Sequence, residues 1–529
     1  MIKEKNDSQS SVARSAAIVS IGNVLSRMMG LIRGMAISDL FGAQTAILAY
    51  NAADIVPRRF YELLIGGMIT SALVPTLSEY ATQEHRKEFS NIASLLFTLS
   101  ILTLGLVILV SELAAPFITH VLVSGFDTPL QIETTRLLRI TLLGMMFLSL
   151  SGLATALCQA LQRFALPAFT TVVFNAGVVL AALLWGRRWG VSSLAVGLVI
   201  GALSQFVLQL PALRGIRFRP AFDVRHPALR HILRLYLPVV VGMIPNELGI
   251  LLDRNLASGI GNSLAIMDYA TQLRQFPLGL VSMAVSTAIL PTLARQTVYE
   301  QAQGHSTTFR ETLAGGLRLV LVLTLPAAVG LFILAEPLIA LVFEHGNFTA
   351  QDTLQTAIAL RYYLVGMIFA AIDQPLVFAF YARKNTFIPA LVGVVGVVLY
   401  ALTALPTVNS LGMVGLILAN NVQLAGHTLL MLVLFWRMVG PLHPFGIGTT
   451  TIKALIASAV MGAAIYGTKL ATALLATKGR LEWATTVGLC GVVGIAAYFG
   501  SCMLLRMQEL DILYRICDII KTIRASSNR

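Results

Sequence analysis

Charged side chains recur at helical spacing inside stretches of sequence that are otherwise strongly apolar. In the first such stretch Asn23, Arg27, Gly30 and Gly34 share one helical face about 60° wide, because successive residues turn by about 100°. Arg33 follows in the same stretch. Glycine on this face allows close approach by another backbone or by a ligand. Since a guanidinium offers a planar fork of donors that matches phosphate, the spacing predicts a binding surface for an anion.

Three further stretches carry polar side chains in the same manner. In the second, Asp54–Arg58 and Arg58–Glu62 are both at i,i+4 spacing, which places the charges along one face of a helix. The seventh and eighth stretches carry Asn246, Glu247, Asp253 and Arg254, and then Asp268, Thr271, Gln272 and Gln275. The candidate substrate-binding residues are Arg27, Arg33, Arg58, Arg254, Asn23, Gln272 and Gln275, with charge-pair support from Asp54, Glu62, Glu247 and Asp253.

These charges have two interpretations. A charge at the centre of a bilayer costs about 2.5–3.5 kcal/mol even on an insertion scale, so it normally faces a partner or a cavity. The groups could pair with one another or extend to the membrane interface. They could instead line a cavity for an anionic ligand. Position favours the cavity for Arg27, Arg58 and Arg254, because they lie in the opening helices of the two halves of an internal repeat.

The sequence lacks the motifs of common nucleotide, metal and transferase chemistry. It contains no G-x-x-x-x-G-K-[ST] phosphate loop, no H-E-x-x-H motif and no Cys/His cluster at metal-binding spacing. It also has no Asp-x-Asp pair in a loop for metal-assisted glycosyl transfer. We therefore expect no cofactor, no metal and no catalytic residue. Transport driven by an ion gradient or a membrane potential is favoured over an enzyme.

Composition predicts the elements that must position these residues. Of the 529 residues, 56% are hydrophobic and only 12% are charged, whereas soluble domains carry about 25% charged residues. Continuous apolar runs such as 92–110 and 487–505 can cross about 30 Å of hydrocarbon as helices. The fold class is therefore an all-α polytopic membrane protein with about fourteen transmembrane helices. We predict spans near 13–38, 46–79, 89–113, 135–162, 166–186, 191–213, 228–257, 263–297, 308–333, 353–381, 386–406, 409–437, 446–471 and 482–507.

Lysine and arginine are distributed unevenly between the connections. If the N-terminus is cytoplasmic, the opposite-face segments 114–134, 255–264, 334–352 and 404–411 contain neither residue. The exceptions on that face are Arg187, Arg188, Lys469, Lys478 and Arg480. Positive charge accumulates in cytoplasmic connections, so this pattern predicts that both termini are cytoplasmic. The bias accounts for much of the net charge of +13, so nucleic acid is not an expected partner. Residues 508–529 are predicted to form a cytoplasmic amphipathic tail, either at the membrane interface or packed on the protein.

The chain also contains a repeat. Three proline motifs recur in order at offsets of 216, 221 and 222 residues: Pro75 and Pro291, Pro116 and Pro337, Pro167 and Pro389. The offsets predict two six-helix lobes, 10–220 and 228–440, followed by an extra helix pair at 446–507. Since six is an even number, both lobes have the same orientation, and a substrate site is expected between them near mid-membrane.

Several motifs together resemble the MurJ/MviN family of the MOP exporter superfamily. They are residues 25–33 (LSRMMGLIR), 40–43 (LFGA), 71–80 (SALVPTLSEY), 252–258 (LDRNLAS), 343–352 (FEHGNFTAQD) and 380–383 (FYAR), within about 12–440. The resemblance implies lipid II flippase activity, two lobes around a cationic cavity and a C-terminal groove for a polyprenyl tail. The family's Pro-x-x-x-Arg-Arg pattern is here Pro57-Arg58-Arg59, and its Tyr-Ala-Asp-Arg is Tyr269-Ala270-Thr271-Gln272. Asp253 matches one ligand of a sodium site of some members, but span 386–406 has no acidic residue to complete it.

The sequence and the resemblance together predict a flippase that moves lipid II, a polyprenyl-diphosphate-linked peptidoglycan precursor, to the outer leaflet for cell wall synthesis. The expected partners are this substrate and membrane lipids, and the protein partners are left open. The alternatives are a related exporter of another lipid-linked oligosaccharide or of drugs, and a membrane-embedded glycosyltransferase. The motif at Arg27 and Arg33 favours the flippase, whereas Thr271 and Gln272 favour the related exporter.

Overall fold

The computed structural model describes residues 2–81, 84–216, 218–223, 225–303, 307–473 and 479–509. Within these residues all regular structure is helical and no strand occurs. Twelve helical segments of the described chain are long and apolar enough to cross a membrane. The prediction of an all-α polytopic membrane protein is therefore confirmed. By contact density the chain divides into two compact units, Met1–Ala265 with His345–Thr349, and Ile266–Glu344 with Ala350–Arg529.

The first unit contains ten α-helices. They are α1 Ile2–Phe41, α2 Thr45–Tyr61, α3 Val74–Tyr80, α4 Arg86–Leu113, α5 Ala115–Leu122, α6 Thr128–Ala160, α7 Ala165–Ala168, α8 Thr170–Trp189, α9 Ser192–Gln209 and α10 Pro227–Ser258. Proline stands in the first turn of α5, α6 and α10, where its missing N–H would have no helical partner in any case.

The described residues of the second unit form nine α-helices. They are α11 Ser263–Pro277, α12 Met283–Gln303, α13 Thr307–Ile333, α14 Ala335–Phe343, α15 Ala350–Ala382, α16 Phe387–Leu411, α17 Met413–Met438, α18 Ile447–Ala473 and α19 Arg480–Leu504. The first residues of α11 are assigned to the first unit, which ends at Ala265. A π-helical turn, Leu278–Ser282, joins α11 to α12, so Ser263–Tyr299 forms one long apolar segment.

The first two predicted spans are helical but are not among the twelve apolar segments. The span 13–38 lies within α1, which carries Arg27 and Arg33. The span 46–79 consists of α2, two π-helical stretches at Glu62–Gly66 and Ile69–Leu73, and α3. Polar residues lower the hydropathy of α1, and the π-helical stretches interrupt the second segment. The count of about fourteen is therefore not confirmed and stays a prediction.

The core of the first unit surrounds the segment that follows α2. Leu73 and Leu77 pack with Phe89 of α4 and Leu157 of α6 in one buried cluster. Tyr236 of α10 belongs to the same cluster, and its hydroxyl donates a hydrogen bond to the carbonyl of Leu63. An ideal Cβ at Gly67 would lie 2.8 Å from the Met243 sulfur of α10. This close approach fixes the position of α10 beside the end of α2.

The last helix pair of the described chain belongs to the second unit. Buried residues of α18 and α19, including Met461, Cys490 and Tyr498, pack in one cluster with Leu321 of α13. The Tyr498 hydroxyl donates to the Val322 carbonyl at 2.5 Å. The domain boundaries 10–220, 228–440 and 446–507 stay predictions. Of the predicted tail 508–529, residues 510–529 lie outside the described residues.

Candidate functional site

Arg58 is held by two side chains of its own helix, α2. Its Nε lies 2.8 Å from Oδ1 of Asp54, and its guanidinium lies near the hydroxyl of the buried Tyr50. Residues 50, 54 and 58 follow one another at i,i+4 spacing and therefore lie on one helical face. We call Tyr50, Asp54 and Arg58 the α2 column.

The surroundings of Arg58 leave part of it accessible. Its side chain is 36% exposed, whereas that of Asp54 is 16% exposed. The guanidinium carbon lies 5.6 Å from the centre of the Phe174 ring of α8, which is within range of a cation–π interaction. A guanidinium has five N–H donors. Asp54 and Tyr50 can therefore orient Arg58 without using all of its donors, and Phe174 restricts its position from the side.

Arg59 has a different role from its neighbour, because it links α2 to α10. Its Nη1 lies 3.7 Å from Oε2 of Glu247, whose side chain is only 7% exposed. Glu62 is exposed and lies within electrostatic range of Glu247. In the described part of the chain Glu62 forms no ion pair, and its Oε2 would lie 2.5 Å from a Cβ at Gly66. The structure thus brings Asp54 to Arg58 and Glu247 to Arg59.

The candidate residues of α1 lie on two faces of the helix, because Asn23 and Arg27 share one face whereas Arg33 is turned about 120° from Arg27. Asn23 is exposed, and Arg27 and Arg33 are partly buried. Arg33 lies within electrostatic range of Tyr50, which brings it near the α2 column. An ideal Cβ at Gly30 meets no described atom within 4 Å. The space beside Gly30 agrees with a surface that a ligand can approach.

The end of α10 is anchored immediately after Arg254. Nδ2 of Asn255 donates to Oγ of Ser124 at 2.8 Å, and Oγ of Ser258 accepts a backbone N–H from the α5–α6 loop at 3.0 Å. Asp253 and Arg254 are both partly buried on the turn before these contacts. The loop therefore fixes the end of the helix that carries Arg254.

The remaining candidates lie on α11 in the second unit. Gln272 is partly buried, and its Oε1 is enclosed without a hydrogen-bond partner among the described residues. Gln275 is exposed. Arg274 holds the helix, because its Nη1 donates to Oδ1 of Asn420 at 3.1 Å and its guanidinium carbon lies 4.6 Å from the centre of the Tyr363 ring. The amide oxygen of Gln272 is therefore an acceptor that no described donor uses.

Sequence reasoning missed three residues that position the candidates. Tyr50 could have been recognised, because it extends the i,i+4 series of Asp54 and Arg58 by one step. Phe174 and the pairing of Arg59 with Glu247 depend on contacts between helices. Neither has a signal in the spacing of residues along the chain.

Comparison with known proteins identifies relatives over nearly the whole chain. The family model described as "Lipid II flippase MurJ" matches residues 37–480. The "Probable lipid II flippase MurJ" of Vibrio cholerae is 29% identical, with 94% of this chain and 97% of that protein covered. The corresponding protein of Thermotoga maritima is 28% identical, with coverage of 96% and 99%. The "Lipid II flippase MurJ" of Burkholderia cenocepacia is 28% identical, with coverage of 79% and 82%.

Solved structures share the fold. A structure titled "Lipid II flippase MurJ, inward closed conformation" matches with a TM-score of 0.78 at 23% identity, covering 93% of this chain and 99% of that chain. A multidrug resistance MATE transporter of the MOP superfamily, in an inward-facing conformation, matches with a TM-score of 0.67 at 13% identity, covering 81% and 99%. At these identities the two similarities bear on the fold alone.

Proposed function

The chain belongs to the MurJ family of lipid II flippases, and on that premise we propose that it carries lipid II across the cytoplasmic membrane by alternating access. Lipid II is a lipid-linked diphosphate, and its transfer to the outer leaflet supplies peptidoglycan synthesis. The protein is a multi-pass membrane protein. Its chemistry is binding and release, with no covalent step on the substrate.

The observation that carries the assignment of residues is the α2 column. Arg58 is neutralised by Asp54 and stays 36% exposed, so it can meet a diphosphate without being an uncompensated charge in its absence. Arg33 lies close to the same column. Arg27 and Arg254 are the principal diphosphate contacts in this proposal, and Arg33 and Arg58 assist them. Asn23, Gln272 and Gln275 supply hydrogen bonds to the head group.

The experiment measures lipid II binding and flipping by purified variants in vesicles at matched amounts. Arg27→Ala and Arg254→Ala should each weaken binding about ten- to a hundredfold, because each removes a charge-assisted hydrogen bond. Arg27→Lys should also transport poorly, since lysine keeps the charge but loses the fork. Arg187→Ala is the control, because Arg187 is an exposed cation at the end of α8.

Two results would contradict the proposal. Parental binding and transport by both alanine variants would show that these arginines are structural. Selective transport of a different lipid-linked oligosaccharide or of a drug, with no effect of lipid II, would favour the related exporter instead.

The proposed orientation places both termini in the cytoplasm. It is supported by the absence of Lys and Arg from the opposite-face segments 114–134, 255–264, 334–352 and 404–411. Single cysteines introduced at Ser10, Asn347 and Ser526 test it with a membrane-impermeant reagent in intact cells. Position 347 should react from outside, and positions 10 and 526 only after permeabilisation. Reaction of position 347 from the cytoplasmic side alone would overturn the orientation.

The helix pair α18–α19 is proposed to accommodate the polyprenyl tail of the substrate. An ideal Cβ at Gly467, Gly488 or Gly491 meets no described atom within 4 Å, whereas a Cβ at Gly494 would lie 2.8 Å from Ile465. Gly488→Leu and Gly491→Leu should therefore reduce transport while folding is kept, because leucine fills the open space. Gly494→Leu should destabilise the pair itself. Full transport by both Gly488→Leu and Gly491→Leu would refute the groove.

A further inference from the structure

A second basic surface lies in the first unit, and none of the candidate substrate residues lines it. A cavity of about 160 Å³ opens where the α3–α4, α6–α7 and α9–α10 connections meet. One water molecule needs roughly 10–15 Å³ on this measure, so the cavity can hold several waters or a phosphate group. We call it the basic pocket. Its lining includes Arg86, Arg163 and Arg214 together with Phe89, Leu161 and Ile216.

Among the described residues, no carboxylate pairs with the arginines of the basic pocket. In the described part of the chain, the exposed side chains of Arg86 and Arg214 form no ion pair or hydrogen bond. Glu84 and Glu88 flank Arg86 in sequence, yet neither pairs with these arginines among the described residues. Three guanidinium groups around one cavity repel one another, and an anion would remove that repulsion.

Arg163 and a glycine shape the pocket. Nη1 of Arg163 donates to the backbone carbonyl of Ala212, and to that of Arg214 at 3.4 Å, so it holds the loop that carries Arg214. Gly215 has a φ of +97°, and a Cβ there would lie 2.6 Å from Nη2 of Arg86. A side chain at position 215 would displace the Arg86 guanidinium. The loop conformation thus brings Arg86 against bare backbone, beside the other two cations.

We propose that the basic pocket binds the phosphate group of an anionic phospholipid from the leaflet on that side of the membrane. The forked donors of arginine match phosphate oxygens. The apolar wall of Phe89, Leu161 and Ile216 suits the glycerol and upper acyl chain of a lipid, which a soluble phosphate lacks. All three connections lie on the side assigned to the cytoplasm, where basic pockets between helices attract anionic head groups.

The test measures binding of short-chain lipids to the full chain in a neutral detergent by native mass spectrometry. The probes are dioctanoyl phosphatidylglycerol, dioctanoyl phosphatidylcholine and inorganic phosphate. The parent should bind phosphatidylglycerol more tightly than either of the others. Arg86→Gln and Arg214→Gln should each weaken that binding about tenfold or more. Arg163 is left intact because it also holds the loop.

The control removes an equal charge nearby. Arg230→Gln changes an exposed cation in the first turn of α10 and should bind phosphatidylglycerol like the parent. If Arg230→Gln weakened phosphatidylglycerol binding as much as Arg86→Gln does, the binding would depend on general surface charge and the proposed pocket would be wrong. Inorganic phosphate that binds as tightly as phosphatidylglycerol would overturn the lipid assignment. Unfolding temperatures in lipid-free detergent should agree for all variants, which separates a binding effect from misfolding.

Discussion

Each of the two units places an arginine against a glycine with positive φ, but only the second unit gives that arginine protein partners. In the first unit Arg86 lies against Gly215, with a φ of +97°. In the second, Arg310 lies against Gly440, with a φ of +121°. Arg310 lies 5.8 Å from the centre of the Phe445 ring and donates to a backbone carbonyl at 3.5 Å. The Arg86 side chain has no hydrogen bond or ion pair within the described chain.

A second arginine of α13 strengthens the contrast. Nε of Arg318 lies 3.5 Å from Oε1 of Glu509, a carboxylate with 5% of its side chain exposed, and Thr450 donates to the same oxygen at 3.0 Å. Arg318 thus joins α13 to the residues after α19, and Arg310 contacts the connection before α18. In the first unit Arg59 is likewise paired, with Glu247, but the side chains of Arg86 and Arg214 stay exposed and form no ion pair in the described chain. Arginines with protein partners should therefore contribute to stability, and accessible ones to binding.

The largest effect is expected at the buried carboxylate of the second unit. Arg318→Ala leaves Glu509 buried without its ion pair, which should lower the free energy of unfolding by about 3 kcal/mol. Denaturant or thermal unfolding in detergent measures the loss. Adding Glu509→Gln to Arg318→Ala should recover part of it, because the uncompensated charge is removed. Parental stability of Arg318→Ala would break the contrast between the units.

Substitutions of the two adjacent arginines of α2 should affect different properties, one mainly stability and the other mainly transport. Arg59→Ala leaves Glu247, with 7% of its side chain exposed, unpaired and should cost about 2 kcal/mol of stability. Arg58→Ala removes a side chain that is 36% exposed and should cost under about 1 kcal/mol. Its transport of lipid II should nevertheless fall about tenfold. Both variants are measured by unfolding and by lipid II flipping per folded molecule. If Arg58→Ala lost stability and Arg59→Ala lost transport, the roles assigned to the two arginines would be reversed.

The smallest expected effect is the difference in stability between alanine substitutions at the two glycines. Alanine at a positive φ costs about 1–2 kcal/mol, so Gly215→Ala and Gly440→Ala should both destabilise. Gly440→Ala also displaces Arg310 from the Phe445 ring, which adds about 0.5–1 kcal/mol. Unfolding of the two variants under one condition measures the difference. Equal losses would mean that the contacts of Arg310 contribute no stability.

The predicted features that lie within one helix agree well with the structure. The spacing of Asp54 and Arg58 predicts their contact, because residues four apart on a helix are neighbours on its surface. Arg58 and Glu62 have the same spacing, but Glu62 begins a π-helical stretch and forms no ion pair in the described chain. The offsets of Pro75 and Pro291 predict repeated helix segments, but they do not indicate the π-helical turns at Glu62–Gly66 and Leu278–Ser282. Those turns add one residue per hydrogen-bonded ring, and their cost is set by packing rather than by residue type.

The sequence by itself determined that this chain is helical, membrane-spanning and a MurJ family member, since long apolar runs and family motifs depend only on the order of residues along the chain. It also determined which charges share a helical face. Tertiary structure alone decided which charges meet across helices. Glu247 has Arg254 seven residues away on its own face, yet it pairs with Arg59 of α2. Likewise, only the loop path brings Arg86, Arg163 and Arg214 around one cavity. Helical periodicity fixes neighbours within a helix, whereas neighbours between helices depend on how side chains pack.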